Sequence, residues 1–337
     1  MEGRLTQDGN RMLIVQADDL GMASAVNEAV KEAYNNGFLT STNLITNGPA
    51  FDEAVQEIIP SCPGLGIGLH LNIVQGRTQR ENFGSLSSIC DSEGRYKVSF
   101  GRLLQAQISG EKKIFNEIED DFRCQMEIVL AQGIQPDHLS SHRHFHSIPK
   151  VFEIACKLAS EYQVPFVRLV REPFYFGGSI RSHLKMGIWY PMNLLKHFTL
   201  NALWTRDSSI AERWGIRTND RFVGIAYTGR MNADTVMRGL RSLASVQSGI
   251  IEVLLHPCKV LSNNKDQNIS SPVRSYLSHP ARSGELATLT NKIVSEFIQE
   301  NGWELTSYFR LAKIGDRLDG PRMAVNGGSG PRKETNQ

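Results

Sequence analysis

The sequence predicts an α/β protein built as a distorted (β/α) barrel of the TIM type, with two long insertions at its rim. Short apolar runs alternate with segments of helical period along the chain, and eight such runs are present. This alternation indicates a parallel sheet with helical crossovers, and eight strands favour a closed or distorted barrel over an open doubly wound sheet.

The predicted strands are short apolar runs that end at polar residues or turns. The first run, residues 12–16, stops at the sequence Ala-Asp-Asp-Leu-Gly. The other seven are residues 42–46, 65–73, 138–141, 166–170, 222–227, 251–255 and 303–306.

The predicted helices carry apolar residues three or four positions apart. The first begins at an N-cap, Ser24, and ends before Gly37, and Pro60 is expected to stop the second. The second helix is residues 51–59, and the others are residues 115–132, 149–162, 233–243 and 285–300. The segments 74–113 and 171–221 interrupt the alternation, and we expect them to form the rim.

Residues 1–314 of the 337 are predicted to form a single barrel domain. The segment 315–337 is rich in Gly, Pro, Arg and Asn and has few large apolar residues. Such a composition cannot bury enough apolar surface to order itself, so we expect a disordered tail.

Composition excludes several classes of protein. Lys and Arg number 37 against 35 Asp and Glu, which leaves a net charge of +2 and predicts no nucleic-acid partner. The five cysteines form no CxxC pair, so neither a disulfide framework nor a thiolate zinc site is expected. The polar N-terminus predicts no secretion signal, and a cytoplasmic location follows.

Polar side chains cluster where the predicted strands end, which is where barrel enzymes carry their chemistry. The cluster comprises Asp18, Asp19, His70, His142, His144, His146 and His256. Carboxylate and imidazole ligands from separate strands are what a hydrolytic metal site requires. In an extended chain His138 would share a face with the three histidines at 142, 144 and 146.

Each of these features also has a structural explanation. An Asp-Asp pair before a helix is common as a solvated turn or N-cap. The histidine-rich segment would serve as a polar loop, and His256 as a satisfied residue at a strand end. Taken together, the clustered residues favour a metal site.

Several motifs in fixed order carry a family resemblance. ADDLG, VNEAV, TSTNLITNGPAF, GLHLNIVQGR and HLSSHRHFH resemble the YdjC-like carbohydrate deacetylases, the chitooligosaccharide deacetylase family, over residues 12–311. VRLVREP, GIRTNDRFVGIAYTGRM and IIEVLLHP are more similar to the hopanoid-biosynthesis-associated branch. The resemblance implies a barrel hydrolase that removes acetyl groups from N-acetylated sugars, either chito-oligosaccharides or lipid-linked sugars such as N-acetylglucosaminyl hopanoid.

The resemblance also implies roles for individual residues. One divalent ion, Mg²⁺ or Zn²⁺, would be held by three ligands: Asp19, His70 and His142. Asp18 would be the general base, His256 the acid that protonates the leaving amine, and Arg171 the residue that holds Asp18.

The chain departs from the family pattern at three positions. Leu20, Ser140 and Cys258 stand where the family commonly has Phe, Asp and Gly. The change at Ser140 removes an acid that could orient a ligand histidine, and the change at Cys258 bears on the role of His256.

Two other functions compete with the deacetylase. An amidohydrolase acting on cyclic amides also carries an HxH pair, although usually on its first strand. A catalytically inactive sugar-binding relative would keep the fold without the reaction, and retention of Asp18, Asp19, His70 and His142 speaks against it.

The segment 184–204 is apolar but interrupted by Pro191, Asn193 and Lys196, so we do not expect it to span a membrane. It is predicted either to pack on the barrel or on a second subunit of a homodimer, or to form a lid or interfacial patch. The patch would comprise Ile188, Trp189, Tyr190, Met192, Leu195 and Phe198, with Lys185 and Lys196 near lipid headgroups. Peripheral contact with the inner membrane face would follow from the second arrangement.

Overall fold

The computed structural model describes residues 10–178, 189–262 and 264–319. Eight strands lie in the described residues, one at each predicted position. They are β1 Arg11–Leu20, β2 Ser41–Leu44, β3 Gly66–Leu71, β4 His138–Ser141, β5 Phe166–Val167, β6 Arg221–Val223, β7 Gly249–Leu255 and β8 Trp303–Thr306.

All eight strands pair in parallel in one sheet, in the order β5-β4-β3-β2-β1-β7-β6, with β8 paired to β1. The first half of β1 lies between β7 and β8, and its second half lies between β7 and β2. The carboxyl ends of all the strands therefore meet at one edge of the sheet.

The sheet curls into a half-barrel. Ile14 of β1 packs with Phe166 of β5, four strands away in the sheet order, and with Tyr308. The amide of Phe222 donates to the carbonyl of Arg171 at 2.9 Å, so the chain beyond β5 meets β6. The predicted α/β class is confirmed, and the curl is consistent with a TIM-like barrel.

The helices cover the outer face of the sheet with one large apolar core. They are α1 Ser24–Asn36, α2 Phe51–Glu53 continued by a π-helix Ala54–Ile58 and by Ile59–Ser61, α3 Phe100–Ser109, α4 Lys112–Ala131, α5 Pro149–Glu161, α6 Trp189–Trp214, α7 Ala233–Arg241, α8 Ser271–Leu277, α9 Ala281–Leu289, α10 Lys292–Glu300 and α11 Tyr308–Asp319.

Several predicted boundaries differ from those in the structure, and three of the differences have an identifiable cause. Pro60 does not end its helix, because the π-helical turn before it widens the backbone ahead of the proline ring. The helix expected over 285–300 is broken, and the side chain of Asn291 caps α10. The strand expected over 222–227 ends at Val223, because the amides of Ile225 and Ala226 donate to the Glu172 carboxylate, each at 2.9 Å.

The two segments that interrupt the alternation differ in content. Residues 74–113 hold a 3-10 turn, Phe83–Leu86, and α3, whereas residues 171–221 hold the whole of the long helix α6. Helix α11 extends past the start of the predicted tail at 315, and residues 320–337 lie outside the described residues. In the described part of the chain, no helix combines the length and the apolarity that crossing a bilayer requires.

Candidate active site

The end of β1 places two neighbouring carboxylates on the same site. Asp19 has φ of 75°, and the pairing of β1 with β2 slips between Ala17 and Leu20. Adjacent residues of a regular strand would point to opposite faces, so this left-handed residue turns Asp19 toward the same space as Asp18. A left-handed conformation costs about 1 kcal/mol in a residue other than glycine, and such strain concentrates at functional sites.

Asp19, His70 and His142 converge on one point from β1, β3 and the turn after β4. One ligand atom from each lies within 4.8 Å of the others, and all three side chains are buried. Nδ1 of His142 lies 3.0 Å from Oδ1 of Asp19, and Nε2 of His70 lies 3.6 Å from the same oxygen. The three predicted ligands are thus brought together.

Ser140 orients His70. Its hydroxyl lies 2.7 Å from Nδ1 of His70, so Nε2 of that ring faces the carboxylates. Burial, partly opposed by Asp18 and Asp19, lowers the pKa of His70 to about 4. The imidazole is therefore neutral at pH 7, the form that binds metals. Ser140 stands where the family commonly has aspartate, and its hydroxyl makes the hydrogen bond that orients a ligand histidine from behind.

The histidine-rich segment does not extend as a strand beyond β4. It turns as a 3-10 helix, His142–Ser147, in which Arg143 and His144 have φ of 56° and 60°. The four histidines therefore do not share one face, contrary to the prediction. His146 bonds to the hydroxyl of Ser141 and to the carbonyl of Arg168, so it has a structural role.

Asp18 is held by a fully buried arginine, Arg168. The guanidinium donates to both carboxylate oxygens, at 2.7 and 2.8 Å, and Asn43 donates a third bond at 2.7 Å. Arg168 also pairs with buried Glu252 at 2.7 Å, and Tyr308 donates to that acid. Burial would raise the pKa of Asp18, but Arg168 and then His70 outweigh it and hold the pKa well below its usual value.

Arg171, which the family resemblance suggested as the partner of Asp18, lies elsewhere. Its guanidinium stacks over the Trp204 ring at 3.9 Å from the ring centroid. Successive residues of an extended segment alternate in direction, so positions 168 and 171 project to opposite sides. Arg168 lies two positions after Phe166, which faces the interior, so the side chain of Arg168 faces the interior too. Arg168 rather than Arg171 therefore holds Asp18.

His256 follows β7 at the same edge of the sheet. Burial, reinforced by the charge of Arg282, lowers its pKa to about 3, and its Nδ1 has no hydrogen-bond partner in the described part of the chain. The ring is therefore a neutral imidazole that can accept a proton before it donates one. The charges of Asp19 and Asp18 oppose this lowering of the pKa.

The donor set fits a divalent ion. One carboxylate and two neutral imidazoles are the ligands that zinc takes in hydrolytic sites, with a position left for water or substrate. An ion held there would polarise a carbonyl oxygen and lower the pKa of a water molecule. The second carboxylate, Asp18, is fixed by Arg168 and Asn43 with its Oδ2 3.8 Å from Nε2 of His70, and it keeps one lone pair for a proton.

A cavity of about 600 Å³ adjoins the set on the side of Gln75, whose Oε1 lies 3.0 Å from Nε2 of His142. We call it the neutral cleft. Its polar lining consists largely of amides and hydroxyls, among them Thr46, Asn47, Asn72, Thr78 and Gln79. One acid and one base, Asp52 and Arg77, balance in charge, and apolar side chains such as Phe51 and Val273 complete the lining. Such a mixture suits the hydroxyls and the apolar face of a sugar ring.

The family model described as YdjC-like protein matches residues 12–300. The chain belongs to this family. The match spans every strand except β8, and it includes the metal set, Asp18 and His256.

Curated relatives of similar length are named carbohydrate deacetylases. One from Clostridium beijerinckii is 28% identical over 302 residues, 88% of this chain and 98% of the relative. One from Thermoanaerobacter pseudethanolicus is 28% identical over 298 residues, with the same coverage. A third, from Brevibacillus brevis, is 36% identical over 165 residues, 49% of this chain and 60% of the relative.

A solved structure supports the fold. The crystal structure of an Enterococcus faecalis protein named for cellobiose-phosphate cleavage superposes with a TM-score of 0.65 at 24% identity. The similarity covers 90% of this chain and 99% of that one.

Replacement of Arg168 should destabilise the protein far more than replacement of Arg171. Arg168→Met leaves Asp18 and Glu252 buried without a counter-charge, and breaking a buried ion pair costs about 3–5 kcal/mol. Arg171→Met removes a stacking contact worth about 0.5–1 kcal/mol. Urea unfolding measures both. A larger loss for Arg171→Met would reinstate Arg171 as the structural partner.

Proposed function

We propose that this protein is a metal-dependent carbohydrate deacetylase that removes the acetyl group from an N-acetylated amino sugar. The observation that carries the proposal is the grouping of Asp19, His70 and His142 beside a second carboxylate held by Arg168. The names of the curated relatives point to the same reaction. The ion is Mg²⁺ or Zn²⁺, and the oxygen and imidazole donors favour zinc.

Deacetylation of an amide needs a base and then an acid. The oxygen of water adds to the acetamide carbonyl, the C–N bond breaks, and the amine leaves with a proton. Asp18 accepts the proton of the attacking water, since the two bonds from Arg168 and the one from Asn43 leave one lone pair of its carboxylate, on Oδ2, unused. Tyr276 donates to Oδ2 of Asp19 at 3.4 Å and steadies that ligand.

We assign the protonation of the leaving amine to His256. Its neutral imidazole first takes up the proton that Asp18 removed from the water and then delivers it to the amine nitrogen, because a group with a pKa of about 3 carries none beforehand at pH 7. The backbone amide of His256 donates to Glu285, and Arg282 donates to its carbonyl at 3.3 Å, so the loop after β7 is fixed at both ends of the residue.

Release of acetate tests the reaction itself. We expect the purified protein, reconstituted with Zn²⁺ or Mg²⁺, to release acetate and free amine in equal amounts from one of three substrate groups: N-acetylhexosamines, chito-oligomers or N-acetylglucosaminyl lipids. The chelated protein serves as the control and should release neither. Binding of chito-oligomers without acetate release from any member would favour the inactive sugar-binding alternative.

We further propose that the N-acetylated sugar is attached to a lipid. Exposed apolar side chains support this substrate. Phe174, Phe176, Met192, Leu195 and Phe198 are between 49% and 69% exposed, and the rings of Phe174 and Phe198 stack with centroids 6.2 Å apart. We call them the aromatic patch. They lie on α6 and the segment before it, within the insertion at 171–221, which we propose as part of the rim together with residues 74–113.

The residues predicted to form an interfacial surface have different surroundings in the structure. Met192, Leu195 and Phe198 belong to the aromatic patch, whereas Tyr190 stacks on Tyr227 with ring centroids 5.7 Å apart. Lys185, Ile188 and the side chain of Trp189 lie outside the described residues. An N-acetylglucosaminyl hopanoid at the inner membrane face would present its sugar to such a patch.

Co-sedimentation with liposomes tests the patch. We expect Phe174→Ser with Phe198→Ser to reduce binding to vesicles of anionic phospholipid at least fivefold, because the double change removes two half-exposed aromatic rings that stack on each other in the patch. Ile108→Ser, at a side chain that is 86% exposed outside the patch, is the matched control. Equal sedimentation of all three proteins would leave the patch with a packing role only.

A further inference from the structure

The loop that follows β3 fixes the backbone of Gln75. Oδ1 of Asn72 accepts from the amides of Val74 and Gln75 at 3.1 and 3.2 Å, and Nδ2 of Asn72 donates to the carbonyl of Gln75 at 2.7 Å. Asn47 donates to the same carbonyl at 3.0 Å. Gln125 of α4 in turn holds the backbone of Asn72, at 2.9 and 2.7 Å. The side chain of Gln75 therefore starts from a position that the fold determines.

That side chain meets the metal set at His142. Oε1 of Gln75 lies 3.0 Å from Nε2 of His142, while Nδ1 of the same ring lies 3.0 Å from Oδ1 of Asp19. His70 is turned the other way, since its Nε2 faces Asp19 and its Nδ1 faces the hydroxyl of Ser140. The two histidines thus present different ring nitrogens to the metal set, and each has a polar partner behind it.

The distances in the set fit coordination through Nδ1 of His142. Two ligand atoms at about 2.0–2.1 Å from one zinc ion, at a tetrahedral angle, lie roughly 3.3 Å apart. Oδ1 of Asp19 lies 3.0 Å from Nδ1 of His142 and 3.6 Å from Nε2 of His70, and these two distances bracket that value. Nε2 of His142 faces Gln75 instead. Nδ1 is therefore the nitrogen of this ring that is available to an ion.

Coordination through Nδ1 requires one tautomer of His142. A neutral imidazole carries a single proton, so a ring that offers Nδ1 to an ion carries its proton on Nε2. The Nε2–H group then needs an acceptor, and Oε1 of Gln75 lies at hydrogen-bond distance. In the competing tautomer Nδ1–H would donate to Asp19 and leave no lone pair for the ion. The bond to Gln75 favours the tautomer that binds metal.

The other end of the same amide is available to a ligand. Gln75 lines the neutral cleft, and its Nε2 makes no hydrogen bond within the ranges that the structure describes. Gln79, another glutamine of this cleft, instead donates its Nε2 to the carbonyl of Thr46 at 3.0 Å. A side-chain amide has two N–H donors, and the hydroxyl and acetamide oxygens of a sugar accept such bonds.

We propose that Gln75 joins the sugar cleft to the metal: its Oε1 fixes the tautomer of His142, and its Nε2 donates to an oxygen of the N-acetylated sugar. This inference rests on the proposed deacetylase function. Gln75 is thus a positioning residue for the metal set and a specificity contact for the substrate. The two roles use different atoms of one side chain, so different substitutions separate them.

Nuclear magnetic resonance of the zinc-loaded protein, with ¹⁵N-labelled histidine, tests the tautomer without any reaction. We expect the ring proton of His142 on Nε2 and that of His70 on Nδ1. Gln75→Leu should weaken zinc affinity about 10–100-fold, the usual effect of losing the partner behind a ligand histidine. Gln79→Leu, the matched control in the same cleft, should bind zinc as the parent does. Coordination through Nε2 of His142, or parental zinc affinity in folded Gln75→Leu, would overturn the positioning role.

Gln75→Glu separates the two ends of the side chain. A carboxylate still accepts from Nε2 of His142 but has no donor for the sugar. We expect this variant to bind zinc at least as tightly as the parent, with KM for N-acetylglucosamine or chito-oligomers raised about fivefold and kcat little changed. Gln299→Glu, at an exposed position of α10, is the kinetic control and should keep the parental KM. A parental KM in Gln75→Glu would overturn the sugar contact.

The outcomes separate this inference from the deacetylase itself. Acetate release by an enzyme whose zinc affinity and KM are both unaffected by Gln75→Leu would overturn the inference and leave the deacetylase intact. Zinc affinity that depends on Gln75, in a protein that releases acetate from no sugar, would instead reject the deacetylase and keep the positioning role.

Discussion

Asp18→Asn is expected to lower turnover about 100-fold or more while leaving the bound metal in place. An amide cannot accept the proton of the attacking water, and a positioned general base contributes about 10²–10⁴ in rate. Arg168 would keep Glu252 as its partner, so the buried network should survive the change. Acetate release and metal content, measured on the same preparation, check the two parts of this prediction.

Asp120→Asn is a suitable control, because Asp120 is an exposed acid on α4 whose nearest cation, Arg80, is 3.8 Å away. It should turn over at the parental rate. The pKa of Asp18 lies well below its usual value, so the base stays ionised as the pH falls and loss of Asp18 charge should not set the acid limb of the rate profile. Parental turnover by Asp18→Asn would place the base elsewhere.

Much of the fold follows from the sequence, because buried parallel strands leave continuous apolar runs between turns. The strands at 138–141 and 303–306 agree with the structure at both ends. The breaks in the pattern arise from contacts distant in sequence. Glu172 ends β6 by capturing amides that a strand would otherwise pair, and no local pattern indicates a carboxylate some 50 residues earlier.

In the candidate site, too, some residues could be predicted from the sequence and others could not. Asp18, Asp19, His70 and His142 are predictable because strand ends converge in any barrel. The role of Arg168 was not predicted. Its position was a usable indication, because it is a charged residue inside the apolar run FVRLV, two positions after Phe166, and so faces inward as Phe166 does. Gln75 and Tyr276 could not be predicted, because loops and a short helix bring them to the site from outside the strands.

The positive φ values explain the remaining error. An alternating pattern assumes extended backbone, and the histidine-rich segment leaves that conformation at Arg143 and His144. Histidine is enriched in the left-handed region whereas arginine is not, so the sequence gives only a weak local indication of the turn. The turn places His142 at the metal set and leaves the next side chain, Arg143, exposed.

His70→Ala and His142→Ala are each expected to reduce bound metal from about one ion per chain to less than a tenth of that, because each removes one of about three protein ligands. Ser140→Ala should have a smaller effect, a 10–100-fold loss of affinity, since it frees His70 to rotate without removing a ligand. Elemental analysis after dialysis and competition with a chelator measure both effects, and circular dichroism checks that the fold persists.

His144→Gln is the matched histidine control, because His144 is buried two residues beyond His142 and its ring packs edge-on against Phe222 rather than on the metal set. It should retain the ion. Full occupancy in folded His70→Ala and His142→Ala would exclude these ligands, whereas loss in the His144→Gln control as well would show that a change at the turn disturbs the site without removing a ligand. The graded order, with Ser140→Ala between the control and the ligand variants, is what a three-ligand set with one orienting hydroxyl requires.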